Sequence, residues 1–370
     1  MLWFLHRLSE TPVFNLMRYV TVRGVLAAGF AFVVSVVLGP RLILWLRRRR
    51  IGEETTKTDS QELNRLHGVK NGTPTMGGLM IVWSTLVASL LFARLVPSVV
   101  TLLLVLCGMA AIGFADDWIK LSSARKGMRG RTKFLLQWIV GIAAAIVLYA
   151  TLRVEAPHTG VADRSLASAV FLPFLKHWYF YLGAAFMVFA AFVVVGFSNA
   201  VNLTDGLDGL AAGSAVFCSG AMTVAAYVAG HKELASYLFV PYVADAGEVA
   251  IVMAALCGAL LGFLWFNCYP AKVFMGDTGA LAVGGVLGAA AVATKQEAVL
   301  LFAGLVFVLE TISVMLQVLS FKLTGKRIFR IAPLHHHFEV SGQHENAVTV
   351  RFWIVAAFCA LFALATLKVR

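Results

Sequence analysis

Residues 98–120 read SVVTLLLVLCGMAAIGFADDWIK. From Ser98 to Ala115 nothing is charged, and the run then ends on two adjacent carboxylates, Asp116 and Asp117, with Lys120 close behind. A helix rises about 1.5 Å per residue, so such a run nearly matches the roughly 30 Å hydrocarbon core of a bilayer. The pattern recurs along the chain. Apolar runs at about 20–46, 75–94, 98–115, 134–153, 178–198, 209–229, 248–266, 279–294, 297–320 and 351–368 predict ten membrane spans. Composition agrees: 60% of the 370 residues are apolar, only 14% are charged, and mean hydropathy is +0.83. A water-soluble surface needs more charge than that, so soluble, disordered and disulfide-scaffold classes are excluded. The chain reads as an all-α polytopic membrane protein with one integral-membrane domain over 1–370. Residues 1–19 read as an interfacial amphipathic segment. No signal peptide is expected, because the first apolar stretch, Gly24 to Leu46, is too long for one.

Ten spans put both termini on one side. The connections 47–74, 116–133, 199–208, 267–278 and 321–350, counted with their flanks, hold 20 of the 31 Lys and Arg residues. Positive charge marks the cytoplasmic side, so these loops are expected in the cytoplasm and both termini in the periplasm. The net charge of +12 then reflects loops facing anionic lipid and calls for no nucleic acid. The five cysteines lack metal spacing, and the reading is buried, reduced thiols.

Carboxylates at span ends are the informative residues. Asp116, Asp117, Asp205, Asp208 and Asp277 all fall on the expected cytoplasmic side, contributed by three connections. Aspartate is disfavoured at a helix C-terminus, and two adjacent ones call for a compensating cation or proton. Asp277 in VFMGDTGA opens a span, where Asp is an ordinary N-cap. The preceding Gly276 instead suits close approach of backbone to a ligand. In NAVNLTDGLDGLAAG, Asn199, Asn202, Asp205 and Asp208 recur every three residues and would lie close together on a helix. The consecutive His335, His336 and His337 are expected to alternate in direction, so that at most two would meet one metal. With no zinc spacing nearby, they suit hydrogen bonds to phosphate or sugar better than a metal. Glu310, Ser313, Gln317 and Ser320 form a polar stripe at helical spacing that fits either helix–helix hydrogen bonds or substrate contact. Polar groups gathered at one membrane surface suit an enzyme joining a soluble substrate to a lipid. A transporter would place them near the midplane.

The motifs RLHGVKNGTPTMGG, ADDWIK, NAVNLTDGLDGLA, FMGDTG and APLHHHFE, in this order, closely resemble the phospho-N-acetylmuramoyl-pentapeptide transferase family. That family belongs to the polyprenyl-phosphate N-acetylhexosamine-1-phosphate transferases, and the resemblance runs essentially from end to end. It implies transfer of phospho-N-acetylmuramoyl-pentapeptide from UDP to undecaprenyl phosphate, giving lipid I and UMP, with Mg²⁺. It further implies the bacterial inner membrane, a role in peptidoglycan synthesis and a homodimer. Matched by motif, Asp116, Asp117, Asp277 and His335 would be catalytic, with Asp277 the Mg²⁺ ligand. Lys70, Thr75, Asn202, Asp205, Asp208, Asn267 and Phe274 would form the nucleoside pocket, Phe274 stacking on uracil. Gln317, His336 and His337 would line the same cleft, and Lys120 and Lys133 would hold phosphates. One departure is SGQHENAV after the histidine triplet, where relatives often carry Gly-Trp and Pro.

Two rival readings fit the same residues. A sister enzyme would move GlcNAc-1-phosphate from UDP, though GTPTMGG and APLHHHFE resemble the muramoyl enzyme more closely. A transporter of nucleotide or lipid-linked sugars would tolerate loss of Asp116.

Overall fold

The computed structural model describes residues 2–4, 15–49, 72–122, 127–156, 164–172, 174 and 178–368. Lys70 and most of the interfacial segment and the 47–74 connection lie outside the described residues. The helices are α1 (Val20–Arg48), α2 (Gly78–Phe92), α3 (Pro97–Ser122), α4 (Gly130–Thr151), α5 (Ala185–Thr204), α6 (Leu210–Ala229), α7 (Lys232–Leu238), α8 (Ala246–Asn267), α9 (Gly276–Thr294), α10 (Glu297–Ala303), α11 (Leu305–Thr324), α12 (Leu334–Val340) and α13 (Glu345–Thr366). Nine of the described helices are long and apolar enough to cross a membrane: α1, α3, α4, α5, α6, α8, α9, α11 and α13. Two antiparallel strand pairs, β1 (Val154–Glu155) with β4 (Tyr242–Val243) and β2 (Ala169–Phe171) with β3 (Tyr179–Tyr181), lie at one end of the bundle.

Three expected spans differ from what forms. The run 75–94 yields α2, which has 15 residues and covers only about 22 Å. Its first turn is given up because residues 74–77 bond to another part of the backbone. The run 178–198 begins as β3, so α5 starts late, at Ala185. The run 297–320 breaks at Gly304 into α10 and α11.

Helix α9 is the centre of the bundle, flanked by α3, α5, α6 and α2. Its sequence, GDTGALAVGGVLGAAAVAT, is almost all small residues, which lets neighbouring backbones come close where lipid gives no hydrophobic drive. At Gly78, where α2 begins, a side-chain carbon would collide with the backbone of Gly279 in the first turn of α9. Neither backbone can yield, so Gly78→Ala should destabilise by about 1–3 kcal/mol. A thermal unfolding midpoint unchanged from wild type in detergent would contradict this contact.

The outer shell is apolar. Val25, Leu104, Trp265, Leu323 and Phe358 are all exposed, as a lipid-facing surface requires. This also corrects the expectation for the cysteines. All five are free thiols, but only Cys218 is buried, and Cys107 and Cys268 are exposed. In a membrane, lying in an apolar run does not imply a place in the core.

Charge inside the bundle is paired. The guanidinium of Arg23 in α1 makes two 2.7 Å bonds to Glu248 in α8 and one of 3.0 Å to the Phe92 carbonyl. Glu248 also accepts the Arg94 N–H at 2.8 Å. The buried ammonium of Lys295 lies 3.3 Å from Glu297 and 3.9 Å from the centre of the Phe186 ring.

Candidate active site

At the opposite end of the bundle from the strand pairs, the C-terminus of α3 meets the N-terminus of α9. The first N–H groups of a helix have no partner within it and take one from outside. Here they find Asp117. Its Oδ1 accepts the Asp277 N–H at 3.2 Å, and its Oδ2 accepts the N–H (3.0 Å) and hydroxyl (2.7 Å) of Thr278. Asp277 is therefore not the cap of its helix, as its position in the sequence allowed. The cap is Asp117, 160 residues earlier, and the Asp277 side chain is left free to act elsewhere. Thr278 went unrecognised in the sequence, although it stands inside the FMGDTG motif.

Asp116, Asp117 and Asp277 each offer a carboxylate oxygen, and the three lie within 4.8 Å of one another. Two lysines face them. Lys120 Nζ lies 2.7 Å from Asp277, 2.9 Å from Asp116 and 3.9 Å from Asp117. Lys133 Nζ lies 2.7 Å from Asp277 and 3.3 Å from Asp116. The other oxygen of Asp116 accepts the Met128 N–H at 2.6 Å, and that of Asp277 accepts the Asn202 amide at 3.0 Å. Asp116 and Asp117 are buried, while Asp277 is partly open.

The segment before α2 is tied to the segment before α9. The N–H of Phe274 donates to the Pro74 carbonyl, that of Gly77 to the Phe274 carbonyl and that of Gly78 to the Met275 carbonyl, at 2.8–2.9 Å. Thr75 thereby stands against Gly276, where a side-chain carbon would come within 2.9 Å of its hydroxyl and 2.8 Å of Asp117. Gly276 also has φ +70°, a conformation that disfavours a side chain. Phe274 is half-buried with its backbone held on both sides.

The spacing of Asn199, Asn202, Asp205 and Asp208 predicts a continuous helical face, but only the first two are helical. Helix α5 ends at Thr204, and Gly209 at φ +74° completes a turn. Asn199 exchanges bonds with Gln137 in α4 and so braces helices, whereas Asn202 reaches Asp277. Asp208 accepts the Ala271 N–H at 2.9 Å, and Asn267 bridges the Gly209 N–H and the Val273 carbonyl. Both are buried and organise the loop that presents Phe274. Asp205 is half-buried in the same turn.

The histidine triplet lies in the short helix α12, so its members point three ways at about 100° per residue, and not in alternation. His335 is buried between Glu310 and Gly206, where a side-chain carbon on the glycine would collide with Nε2. His336 pairs with Glu339 at 2.8 Å, and His337 accepts the Arg330 N–H at 3.2 Å. Gln317 accepts the N–H groups of Ile328 and Phe329 and donates to the Phe329 carbonyl, holding the loop after α11. In the departing stretch, Gly342 turns the chain at φ +95° and His344 caps α13 through its Nδ1.

A set of hard carboxylate oxygens already facing cations suits a divalent metal such as Mg²⁺. Asp277 and Asp116 turn oxygens towards the ammonium groups, while Asp117 uses most of its capacity on α9. Comparison with known proteins bears on the same parts. The family model "Glycosyl transferase family 4" matches residues 99–295, more than half of the chain, from α3 to just past α9. The "Phospho-N-acetylmuramoyl-pentapeptide-transferase signature 1" matches residues 70–82, the stretch bonded to Phe274 and Met275. The two matches adjoin at the carboxylates, and the chain therefore belongs to glycosyl transferase family 4, within its phospho-N-acetylmuramoyl-pentapeptide-transferase family of phospho-sugar transferases.

Proposed function

We propose that the protein transfers phospho-N-acetylmuramoyl-pentapeptide from UDP to undecaprenyl phosphate, yielding lipid I and UMP, on the cytoplasmic face of a bacterial inner membrane. The observation carrying this reading is the backbone pairing of residues 74–78 with 274–275, which sets the signature segment beside Asp277.

Two ammonium groups against three carboxylates leave one negative charge over, which favours a further cation. Asp277 would hold Mg²⁺, which would supply charge stabilisation to the pyrophosphate and the departing UMP. Lys120 and Lys133, whose ammonium groups face the same carboxylates, would bind phosphate oxygens by charge-assisted hydrogen bonds. Asn202 fixes the rotamer of Asp277, and Asp117 fixes the helix that carries it.

A phosphate monoester has a second pKa of about 6, so undecaprenyl phosphate is largely dianionic at neutral pH. Its oxygen needs placement more than deprotonation. In this reading it attacks the phosphorus joined to the sugar. The bond from that phosphorus to the UMP oxygen breaks, and UMP leaves with the electron pair. Asp116 takes any residual proton or orients the lipid phosphate, and no phospho-aspartate forms.

Phe274 presents a ring from a fixed backbone, which suits stacking on uracil. Phe274→Ala should raise KM for the UDP substrate roughly tenfold, the worth of one base–aromatic stack, with a smaller change in kcat. A fall in kcat at constant KM would remove the stacking role.

The donor is tested by offering UDP-N-acetylmuramoyl-pentapeptide and UDP-GlcNAc together with undecaprenyl phosphate and analysing the lipid product. The muramoyl lipid is expected. A GlcNAc lipid would assign the sister reaction, and vesicle uptake without a lipid product would assign a transporter.

A further inference from the structure

Glu310 is the one fully buried carboxylate of α11, and its contacts converge on a single histidine. Its Oε2 accepts the Leu334 N–H at 2.8 Å and its Oε1 the His335 N–H at 3.2 Å, so it anchors the start of α12. Oε2 also lies 3.3 Å from His335 Nδ1, with both side chains buried to within 1%. Among the described residues neither ring nitrogen of His335 has an aligned hydrogen-bond partner. Nε2 faces Gly206, in the turn that follows Asn202, whose amide reaches Asp277.

We propose that Glu310 is a positioning residue that acts on the reaction through His335, holding the Nδ1 proton so that the Nε2 lone pair faces the turn beside the carboxylate cluster. The proposal rests on the reading of His335 as a catalytic-site group. A buried carboxylate is costly unless paired or hydrogen-bonded; two backbone N–H groups meet that need, and the imidazole Nδ1 stands 3.3 Å away, close enough to be oriented by the charge. A carboxylate next to one ring nitrogen selects the tautomer that protonates it and leaves the other nitrogen an acceptor. Gly206 completes the arrangement, because any side chain there would displace the ring. The polar stripe in α11 thus divides its tasks: Gln317 holds the loop after the helix, and Glu310 sets the histidine.

The test is a double-mutant cycle on the purified full-length protein, with UDP-N-acetylmuramoyl-pentapeptide, undecaprenyl phosphate and Mg²⁺. Glu310→Gln keeps the shape but turns an amide towards Nδ1. It should lower kcat by about 10–100-fold, the range for groups that orient a histidine from outside, with KM nearly constant. In a His335→Ala background the same change should cost nothing further. Glu310→Asp, which keeps the carboxylate, should retain more activity than Glu310→Gln, and this comparison stands even if the glutamine variant folds poorly. Additive losses, or equal activity of the Asp and Gln variants, would overturn the positioning role while leaving His335 in place. Near-normal activity of His335→Ala would instead remove the parent reading and the proposal with it.

Discussion

Asp277→Asn should lower turnover by roughly 10³-fold or more, about 4 kcal/mol of transition-state stabilisation, in a protein that still folds. The structure separates these two effects. Asp277 does not cap its helix, since Asp117 accepts both its N–H and that of Thr278. What the substitution removes is the charge facing Lys120 and Lys133 and the proposed ligand for Mg²⁺. An asparagine oxygen can still accept from a lysine, but it holds Mg²⁺ poorly. The check is kcat at saturating substrate together with the thermal midpoint in detergent. Near-normal turnover at ordinary Mg²⁺ would reduce Asp277 to a partner of two lysines.

The largest effect on stability is expected at the other end of the bundle. Glu248→Ala should destabilise by about 3–5 kcal/mol, because it leaves the Arg23 guanidinium buried without its counter-charge. It also strips the Arg94 N–H of its acceptor. The Phe92 carbonyl would remain, but one neutral acceptor does not neutralise a cation. A double variant, Arg23→Leu with Glu248→Leu, should recover most of the loss, since apolar replacements of a buried pair are often neutral or better. A Glu248→Ala midpoint within a degree or so of wild type would show the arginine finding other company.

The contrast between these two sites marks what the sequence made legible. The spans and the segregation of Asp116, Asp117 and Asp277 to their ends follow from hydropathy and charge, both local properties. The structure then brings all three together. What could not be read was which of them serves the backbone. Asp117 and Asp277 look alike in sequence, and only the meeting of α3 with α9 assigns one to the helix end and the other to the lysines. The late start of α2 has the same origin, since bonds from residues 274 and 275 claim residues that hydropathy gives to the span. Arg23 carries no motif that marks it as structural. Its place just inside an apolar run was the available signal, but its partner lies 225 residues away. Likewise, Asp208, Asn267 and Gln317 stand out as polar, but each bonds to backbone, the first two in the loop before Phe274 and Gln317 in the loop after α11.

The proposed reaction is a direct phospho-sugar transfer at the junction of α3 and α9. It is tested most directly with UDP-N-acetylmuramoyl-pentapeptide radiolabelled in the phosphate joined to the sugar, given to rigorously delipidated enzyme and Mg²⁺ with and without undecaprenyl phosphate. Direct transfer puts label in the lipid phase, matched one for one by UMP, when the acceptor is present, and gives neither UMP nor labelled protein when it is absent. A stoichiometric burst of UMP without acceptor, with label trapped on Asp116 or Asp117, would contradict it.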